Sequence, residues 1–281
     1  MGFYSPSQLV QDARRHAIEI RPVDVNRSHW DHTLEASNGP QRAIRLGFRI
    51  VKGLGEDIAK HLVRARGAID FIDIGDLRQR AGLNRLHMRS LIAADALHEL
   101  SGHRHQSHWQ AQAIETPLSL RSNDKNKSSD DYNDGIALPA PSEIQNIRAD
   151  YNSLHLTLKR HPLLWLRERH ELFRQCKKHS DLGALSQHRF VRVAGIVTGR
   201  QRPGTETGII FVTLEDETGN TNVIVRSDVQ LRCREALLKG YLLLVKGVVE
   251  SNQGVVHVLA GELIDCSHYL RDITLTSRDF H

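Results

Sequence analysis

The turn Lys52–Gly55, of sequence KGLG, holds the residues of this chain that are best suited to chemistry. Glycine lacks a Cβ, so Gly53 and Gly55 permit positive φ and let a phosphate approach the backbone. We predict that Gly55 opens a helix whose free amides and positive dipole end face outward. Lys52 stands beside that anion site. This turn is therefore predicted to bind a phosphate group without recognising a base sequence.

The spacing around this turn fits a helix-hairpin-helix motif over Phe48–Val63, "FRIVKGLGEDIAKHLV". Leu54 is expected to pin the hairpin into the core, and Ala59 is small enough for close helix packing. Lys60 and Arg64 lie at positions i and i+4, on one face of the second helix. Both side chains are therefore predicted to contribute to binding of a nucleic-acid backbone.

The competing interpretation is a hairpin that only packs. Local charge favours phosphate binding over this alternative. Seven basic residues and two acidic ones surround the turn, namely Arg42, Arg45, Arg49, Lys52, Lys60, Arg64 and Arg66 against Glu56 and Asp57.

A second, degenerate copy of the motif is predicted over Leu77–Leu97. It keeps Gly82 and Leu83 but has Asn84 in place of the second glycine. We interpret it as the structural partner of the first copy in a tandem pair, and a phosphate contact of its own is left open.

Two further groups of residues suggest metal binding but are better explained otherwise. The spacing of His103, His105 and His108 does not match a compact zinc site. The three acids of "DFIDIGDL" are expected to belong to a loop and a helix capped by Asp73 or Asp76 rather than to hold Mg²⁺. We therefore predict neither catalytic nor metal-binding residues in this chain.

The bulk composition is that of an ordinary soluble globular protein with a modest positive charge. The chain has 281 residues, a net charge of +5 and a pI near 9.2, which favours anionic partners. It has no apolar run long enough to cross a bilayer and no signal-peptide pattern, so we expect a cytoplasmic protein without a membrane partner. Its three cysteines form no CxxC pair.

The order of patterns along the chain predicts six segments. Residues 1–40 read as a helix and a short strand, too small to hold a core alone. Residues 41–112 read as helical, residues 113–141 as a disordered linker and residues 142–185 as a basic helical connector. A β-rich domain follows over residues 186–266, with a tail over 267–281.

The pattern over residues 186–266 predicts an OB-fold barrel. Together with the helical segments before it, this barrel makes the predicted fold class α+β. Five strand candidates with a period of two surround one helix, which lies between the third and fourth strands. Ser227 is expected to cap that helix, and Gly240 to follow it.

OB barrels bind single strands through stacked aromatic rings and basic side chains. The residues predicted to do so here are Arg192, Arg200, Arg202, Phe211 and Arg226. Single-strand binding is left open, because basic and acidic residues nearly balance in the barrel. The acids of "LEDETGN" are expected to belong to a hairpin turn.

Several blocks of the sequence resemble the C-terminal part of bacterial error-prone DNA polymerases, the DnaE-like members of the C family. These blocks are "MGFYSPSQLVQDARRHAIEIRPVDVNRS", "VKGLGEDIAKHLVRAR", "LIAADAL", "DYNSLHLTLKRHP" and "VRVAGIVTGRQRPGTETGIIFVTLEDETGNTNVIV". The resemblance implies a tandem helix-hairpin-helix region that holds duplex DNA, a C-terminal OB domain, and a role in translesion synthesis and damage-induced mutagenesis. It makes residues 1–40 a remnant of the polymerase fingers.

The family also implies template-directed nucleotide addition with Mg²⁺, held by palm carboxylates that have no counterpart in this chain. The chain is therefore expected to be a truncated polymerase, inactive alone and without a cofactor of its own. Contacts with a sliding clamp or mutagenesis accessory proteins are left open. The alternatives are a chain that still takes part in polymerisation, a protein-interaction module without DNA binding, and an RNA-binding OB domain of the aminoacyl-tRNA synthetase type.

Overall fold

The computed structural model describes residues 6–115, 138–202, 208–252, 255–270 and 278–279, which fall into two compact units. The first unit spans Pro6–Leu158, and the second contains the described residues from Lys159 onward. In this described part of the chain, no helix is long and apolar enough to cross a membrane.

The first unit is mainly helical, with a small sheet near its start. Its helices are α1 (Pro6–Arg15), α2 (Glu56–Arg66), α3 (Ile74–Ala81), α4 (Arg85–Ala93), α5 (His98–Ser101), α6 (Arg104–Glu115) and α7 (Glu143–Leu154). Its strands are β1 (Ile20–Arg21), β2 (Thr33–Glu35) and β3 (Ala43–Arg45), and a 3-10 turn covers Phe48–Ile50.

The prediction that residues 41–112 are helical is wrong at its start, because residues 43–45 form β3. This strand lies between β1 and β2, parallel to the former and antiparallel to the latter. Arg45 is buried, and its Nε donates to Glu35 Oε1 at 2.9 Å, which lowers the pKa of Glu35. Pairing with strands distant in sequence therefore outweighs the helical spacing of Ile44 and Phe48.

Residues 1–40 and 41–112 were predicted as separate segments, yet their described residues build one core. Val23 and Val25 are buried in the same cluster as Phe48 and Leu62. The guanidinium of Arg66, at the end of α2, donates to the carbonyls of residues 25 and 28, both at 3.0 Å. The N-terminal segment is thus part of the unit that carries the hairpins.

The second unit combines short helices with a barrel. Its helices are α8 (Pro162–Arg169), α9 (Glu171–Arg174), α10 (His179–Leu182), α11 (Ser227–Arg232) and α12 (Arg234–Lys239). Its strands are β4 (Phe190–Gln201), β5 (Ile210–Glu215), β6 (Asn220–Val225), β7 (Leu242–Asn252), β8 (Val255–Asp265) and β9 (Arg278–Asp279), with a 3-10 turn at Ser267–Leu270.

The barrel has the OB-fold strand order, which confirms the predicted fold class. The order is β5-β6-β8-β7-β4, and a β4–β5 pairing closes it. The predicted helix between the third and fourth strands is present but interrupted at Cys233. The prediction that Ser227 caps it is wrong, because Arg226 is the N-cap residue and Ser227 Oγ donates to Gly208 O at 2.8 Å.

The predicted connector over 142–185 does not coincide with one unit. Helix α7 belongs to the first unit and residues 159–185 to the second. Most of the predicted linker over 113–141 and of the tail over 267–281 lies outside the described residues.

Candidate nucleic-acid interface

The turn Lys52–Gly55 leads into an uncapped helix. Gly53 has φ of +82°, and Leu54 is buried in the core. Gly55 is the N-cap residue of α2 with extended backbone, φ of −74° and ψ of 158°, and no side chain caps the helix. The first amides of α2 thus have no intrahelical acceptor and lie at the positive end of its dipole. This geometry is that of an anion site.

The two glycines of the turn serve different structural purposes. Gly53 is required by the fold, because its φ is positive and an added Cβ would lie 2.9 Å from Ser90 Oγ. At Gly55 an added Cβ would meet no atom within 4 Å. Only Gly53 therefore uses the positive φ that the sequence suggested for both. The missing side chain of Gly55 instead leaves the first amides of α2 accessible.

The predicted cations around the turn differ in their partners. Lys52 is exposed, and in the described part of the chain its ammonium forms no ion pair. Lys60 Nζ lies 2.6 Å from Glu56 Oε1, and this hydrogen bond raises the pKa of Lys60. The exposed Arg64 Nε donates to the carbonyl of Lys60 at 3.3 Å. Lys52 and Arg64 are thus the predicted cations that a phosphate could reach without displacing a carboxylate.

The second turn is closed by its own side chain. Gly82 ends α3 in the left-handed conformation, with φ of +55°, and Leu83 is buried. Asn84 is the N-cap residue of α4, and its Oδ1 accepts from the backbone N–H of His87 at 2.9 Å. An amide oxygen of the protein thus occupies the position that an anion would take at this helix. The structure agrees with the interpretation of this copy as the structural partner.

Helix α7 holds both hairpins in place, and sequence reasoning missed this contact. The backbone N–H of Lys52 donates to Ser153 O at 2.8 Å, and Ser153 Oγ donates to Ala93 O at 2.9 Å. The same carbonyl accepts from Arg104 Nε at 3.0 Å. The capping box at Ser142 predicts α7 itself, but nothing in the sequence indicates what this helix packs against.

Phe211 lies on the outer surface of the barrel. The strand register places further uncharged residues beside it. Phe211 pairs across the sheet with Ile224, which pairs with Leu259, and the neighbouring row joins Thr213, Asn222 and His257. These six residues, which we call the β5–β6–β8 face, carry no fixed charge. They alternate with buried residues such as Val212 and Val223. The face offers stacking and hydrogen bonding rather than charge.

The predicted arginines of the barrel do not form one cluster. Arg200 donates to the carbonyls of Leu237 and Gly240, so it stabilises the C-terminal end of α12. Arg192 Nη1 donates to Gln175 Oε1 at 3.0 Å. Arg202 and Arg226 are exposed. The hydrogen bonds of Arg200 give it a structural role that its spacing did not reveal.

The acids of "LEDETGN" are buried, and they hold α8 against the barrel. Arg167 Nε lies 2.9 Å from Glu217 Oε1, and His161 Nε2 lies 3.6 Å from Glu215 Oε1. Asp216 Oδ1 accepts from the N–H of Gly219 at 2.9 Å, which confirms its predicted role in the turn. Arg167 lies in the segment predicted as a basic connector, and the structure makes it a buried structural cation.

Comparison with known proteins finds a matching domain model for a part of each unit. A helix-hairpin-helix motif model matches residues 17–107, and an OB-fold nucleic acid binding domain model matches residues 191–265. The error-prone DNA polymerase of Teredinibacter turnerae is 46% identical over 100% of this chain. The corresponding proteins of Saccharophagus degradans and Pseudomonas aeruginosa are each 44% identical over the same extent. The chain is homologous over its whole length to the C-terminal part of error-prone DNA polymerases.

The chain spans only about a quarter of these error-prone polymerase homologues, 28% of the Teredinibacter protein and 27% of the other two. Among solved structures, asparaginyl-tRNA synthetase from Pyrococcus horikoshii is 25% identical over 28% of this chain and 20% of its own. Its TM-score of 0.26 is too low to support an inference.

Proposed function

We propose that this chain is the DNA-holding part of an error-prone DNA polymerase, and that the turn Lys52–Gly55 binds the phosphate backbone of duplex DNA. The observation that carries this proposal is the uncapped N-terminus of α2, which Gly55 leaves accessible and Lys52 flanks. Amides and a cation at a helix N-terminus bind phosphate irrespective of base sequence. The match of residues 17–107 to a helix-hairpin-helix model supports the same conclusion.

The barrel is proposed to hold a single strand on the β5–β6–β8 face. Phe211 supplies a ring for base stacking, and Asn222 and His257 supply hydrogen-bonding groups in the next row. The match of residues 191–265 to a nucleic-acid-binding OB-fold model supports this assignment.

Nucleotide addition is assigned in this proposal to the three quarters of the full-length relatives that the chain does not match. Among the described residues, no group of three or more His, Cys, Asp or Glu is placed to hold a metal ion. A cytoplasmic location and contacts with a clamp or accessory proteins stay predictions.

The test is fluorescence anisotropy of labelled duplexes with the 281-residue chain over a range of salt concentrations. Replacing Lys52 by Gln removes one phosphate contact, so the salt slope should become shallower by about 0.9 and affinity at 0.1 M salt should fall about eightfold. Duplexes of different sequence should lose affinity alike. The matched control is Lys239→Gln, on the exposed surface of α12. Unchanged duplex affinity in Lys52→Gln would contradict the proposal.

A further inference from the structure

A basic pocket of about 410 Å³ lies beside the barrel, among α8, α9 and the segment that follows them. Its volume is in the range of small-ligand sites. Its charged lining residues are Arg167, Arg174, Lys177 and Lys178, with Glu168 and Asp181.

The acids of this pocket are already neutralised or hydrogen-bonded. Glu168 forms ion pairs with Arg160 and with Arg169. Asp181 Oδ2 accepts from the backbone N–H of Lys178 at 3.2 Å. Asp181 keeps its negative charge, and the four cations of the lining against its two acids leave a net charge of +2.

Two cations of the pocket are held without a carboxylate partner among the described residues. The guanidinium of Arg174 donates only to backbone carbonyls, to Glu168 O at 3.0 Å and to Arg167 O at 3.4 Å. Lys177 is exposed, and its backbone N–H donates to Arg192 O at 2.7 Å, which fixes it against β4. Both positive charges are thus placed by the fold and available to an anion.

Arg192 extends this positive surface along β4. Its Nη1 donates to Gln175 Oε1 at 3.0 Å, and Gln175 lines the pocket. Within the described ranges Arg192 forms no ion pair, so it adds a third available cation. Arg174 and Lys177 thus line the pocket, and Arg192 is joined to its lining through Gln175.

We propose that this pocket binds a phosphate group of a single nucleic-acid strand, with Arg174, Lys177 and Arg192 as its ligands. Proteins that bind single strands combine stacking residues with a positively charged groove. The β5–β6–β8 face has a stacking ring but no fixed charge, whereas the pocket, elsewhere on the same unit, carries cations. Guanidinium groups match phosphate oxygens in pairs, and an ammonium adds a compact charge. The inference rests on the proposed single-strand binding by the barrel.

The experiment is anisotropy of a labelled oligo-dT strand with the 281-residue chain and its Lys177→Gln variant. Loss of one single-strand phosphate contact should make the salt slope shallower by about 0.7 and lower the affinity about fivefold at 0.1 M salt. Lys177→Arg should restore binding, and Lys239→Gln should leave it unchanged. Wild-type affinity and slope in Lys177→Gln, or no binding of oligo-dT by the unaltered chain, would overturn the inference.

Two further arms separate the causes of failure. Suppose that Lys52→Gln weakens duplex binding while Lys177→Gln leaves oligo-dT binding unchanged. That result would support phosphate binding by the first hairpin and refute strand binding by the pocket. Isothermal titration with inorganic phosphate tests a free ion as the ligand. The assignment to a strand would be overturned by two results together: a heat of phosphate binding that is lost in Lys177→Gln, and oligo-dT binding that does not depend on Lys177.

Discussion

Asn84 Oδ1 accepts a hydrogen bond of 2.9 Å from the backbone N–H of His87 and so closes the N-terminus of α4. At the corresponding position of α2, Gly55 has no side chain, and no other side chain caps that helix. The two hairpins thus present one closed and one open helix N-terminus. This difference is the structural basis for assigning the phosphate contact to the first hairpin alone.

Replacing Gly55 by Ser should change stability and binding in opposite directions. The backbone at Gly55 is already extended, and an added Cβ meets no atom. A serine hydroxyl can accept from the first amides of α2, so unfolding in urea should show stabilisation by a few tenths of a kcal/mol. The same hydroxyl and Cβ should obstruct a phosphate, so anisotropy should show weaker binding to duplex DNA. Tighter or equal binding in Gly55→Ser would refute the role of the open amides.

The mirror variant is Asn84→Ala in the second turn. It removes the cap of α4, so the free energy of unfolding should fall by about 1 kcal/mol. Duplex affinity should not change, because Asn84 is assigned to the helix and not to DNA. A loss of affinity at temperatures where the variant is fully folded would show that the second hairpin also contacts the backbone.

The turns were predictable from sequence because their requirements are local. The first turn needs a positive φ at Gly53, a buried leucine and a small residue at position 59. These needs fix which residue types occur at which spacing, and that spacing is visible in one sequence. The strand β3 was not predictable in this way, because its stability comes from pairing Ile44 with Ile20 and Leu34. Its partners lie on separate segments, and no local pattern specifies that pairing.

Replacing Asp150 by Ala should destabilise the first unit strongly. Arg104 donates to Asp150, both residues are buried, and Thr157 Oγ1 donates to the same carboxylate at 2.6 Å. The variant leaves the buried Arg104 with only the carboxylate of Asp95, 3.9 Å away, so the loss should be large, up to about 3–5 kcal/mol. Urea unfolding measures the loss. Asp12→Ala, on the exposed side of α1, is the control and should be near neutral.

The barrel shows the same division between local and distant causes. Alternation of buried and outward residues predicts its five strands and places Phe211 outside. The burial of Arg167 depends on Glu217, which lies on a different element far along the chain. The sequence therefore did not reveal the buried role of Arg167, nor, for the same reason, the role of Arg200 at the end of α12.

Replacing Phe211 by Ala should weaken oligo-dT binding by about 1–3 kcal/mol, the contribution of one stacked base. Binding of duplex DNA should stay unchanged, because that contact is assigned to the other unit. Leu231→Ala, on exposed α11, is the control for loss of an apolar side chain. Equal oligo-dT affinity in Phe211→Ala and wild type would contradict single-strand binding on the β5–β6–β8 face.

The cysteines should differ in their reaction with a thiol reagent. Burial raises the pKa of Cys176 and of Cys266 to about 11, whereas Cys233 is partly exposed. At pH 8 Cys233 should react first, and the two buried thiols only on unfolding. Because a raised thiol pKa favours the protonated folded form, stability should fall as the pH rises from about 9 towards 11. Fast modification of all three thiols in the folded chain would contradict this burial.

The most direct test of the phosphate site is an NMR titration of the ¹⁵N-labelled chain with a short unlabelled DNA duplex at low salt. If the first hairpin holds DNA, the amides of Glu56, Asp57 and Ile58 at the open end of α2 should show saturable shifts. The amides of Leu86 and His87, at the capped end of α4, should remain in place. Shifts confined to α4, or an undisturbed α2 at saturating duplex, would contradict the claim that the first hairpin holds DNA.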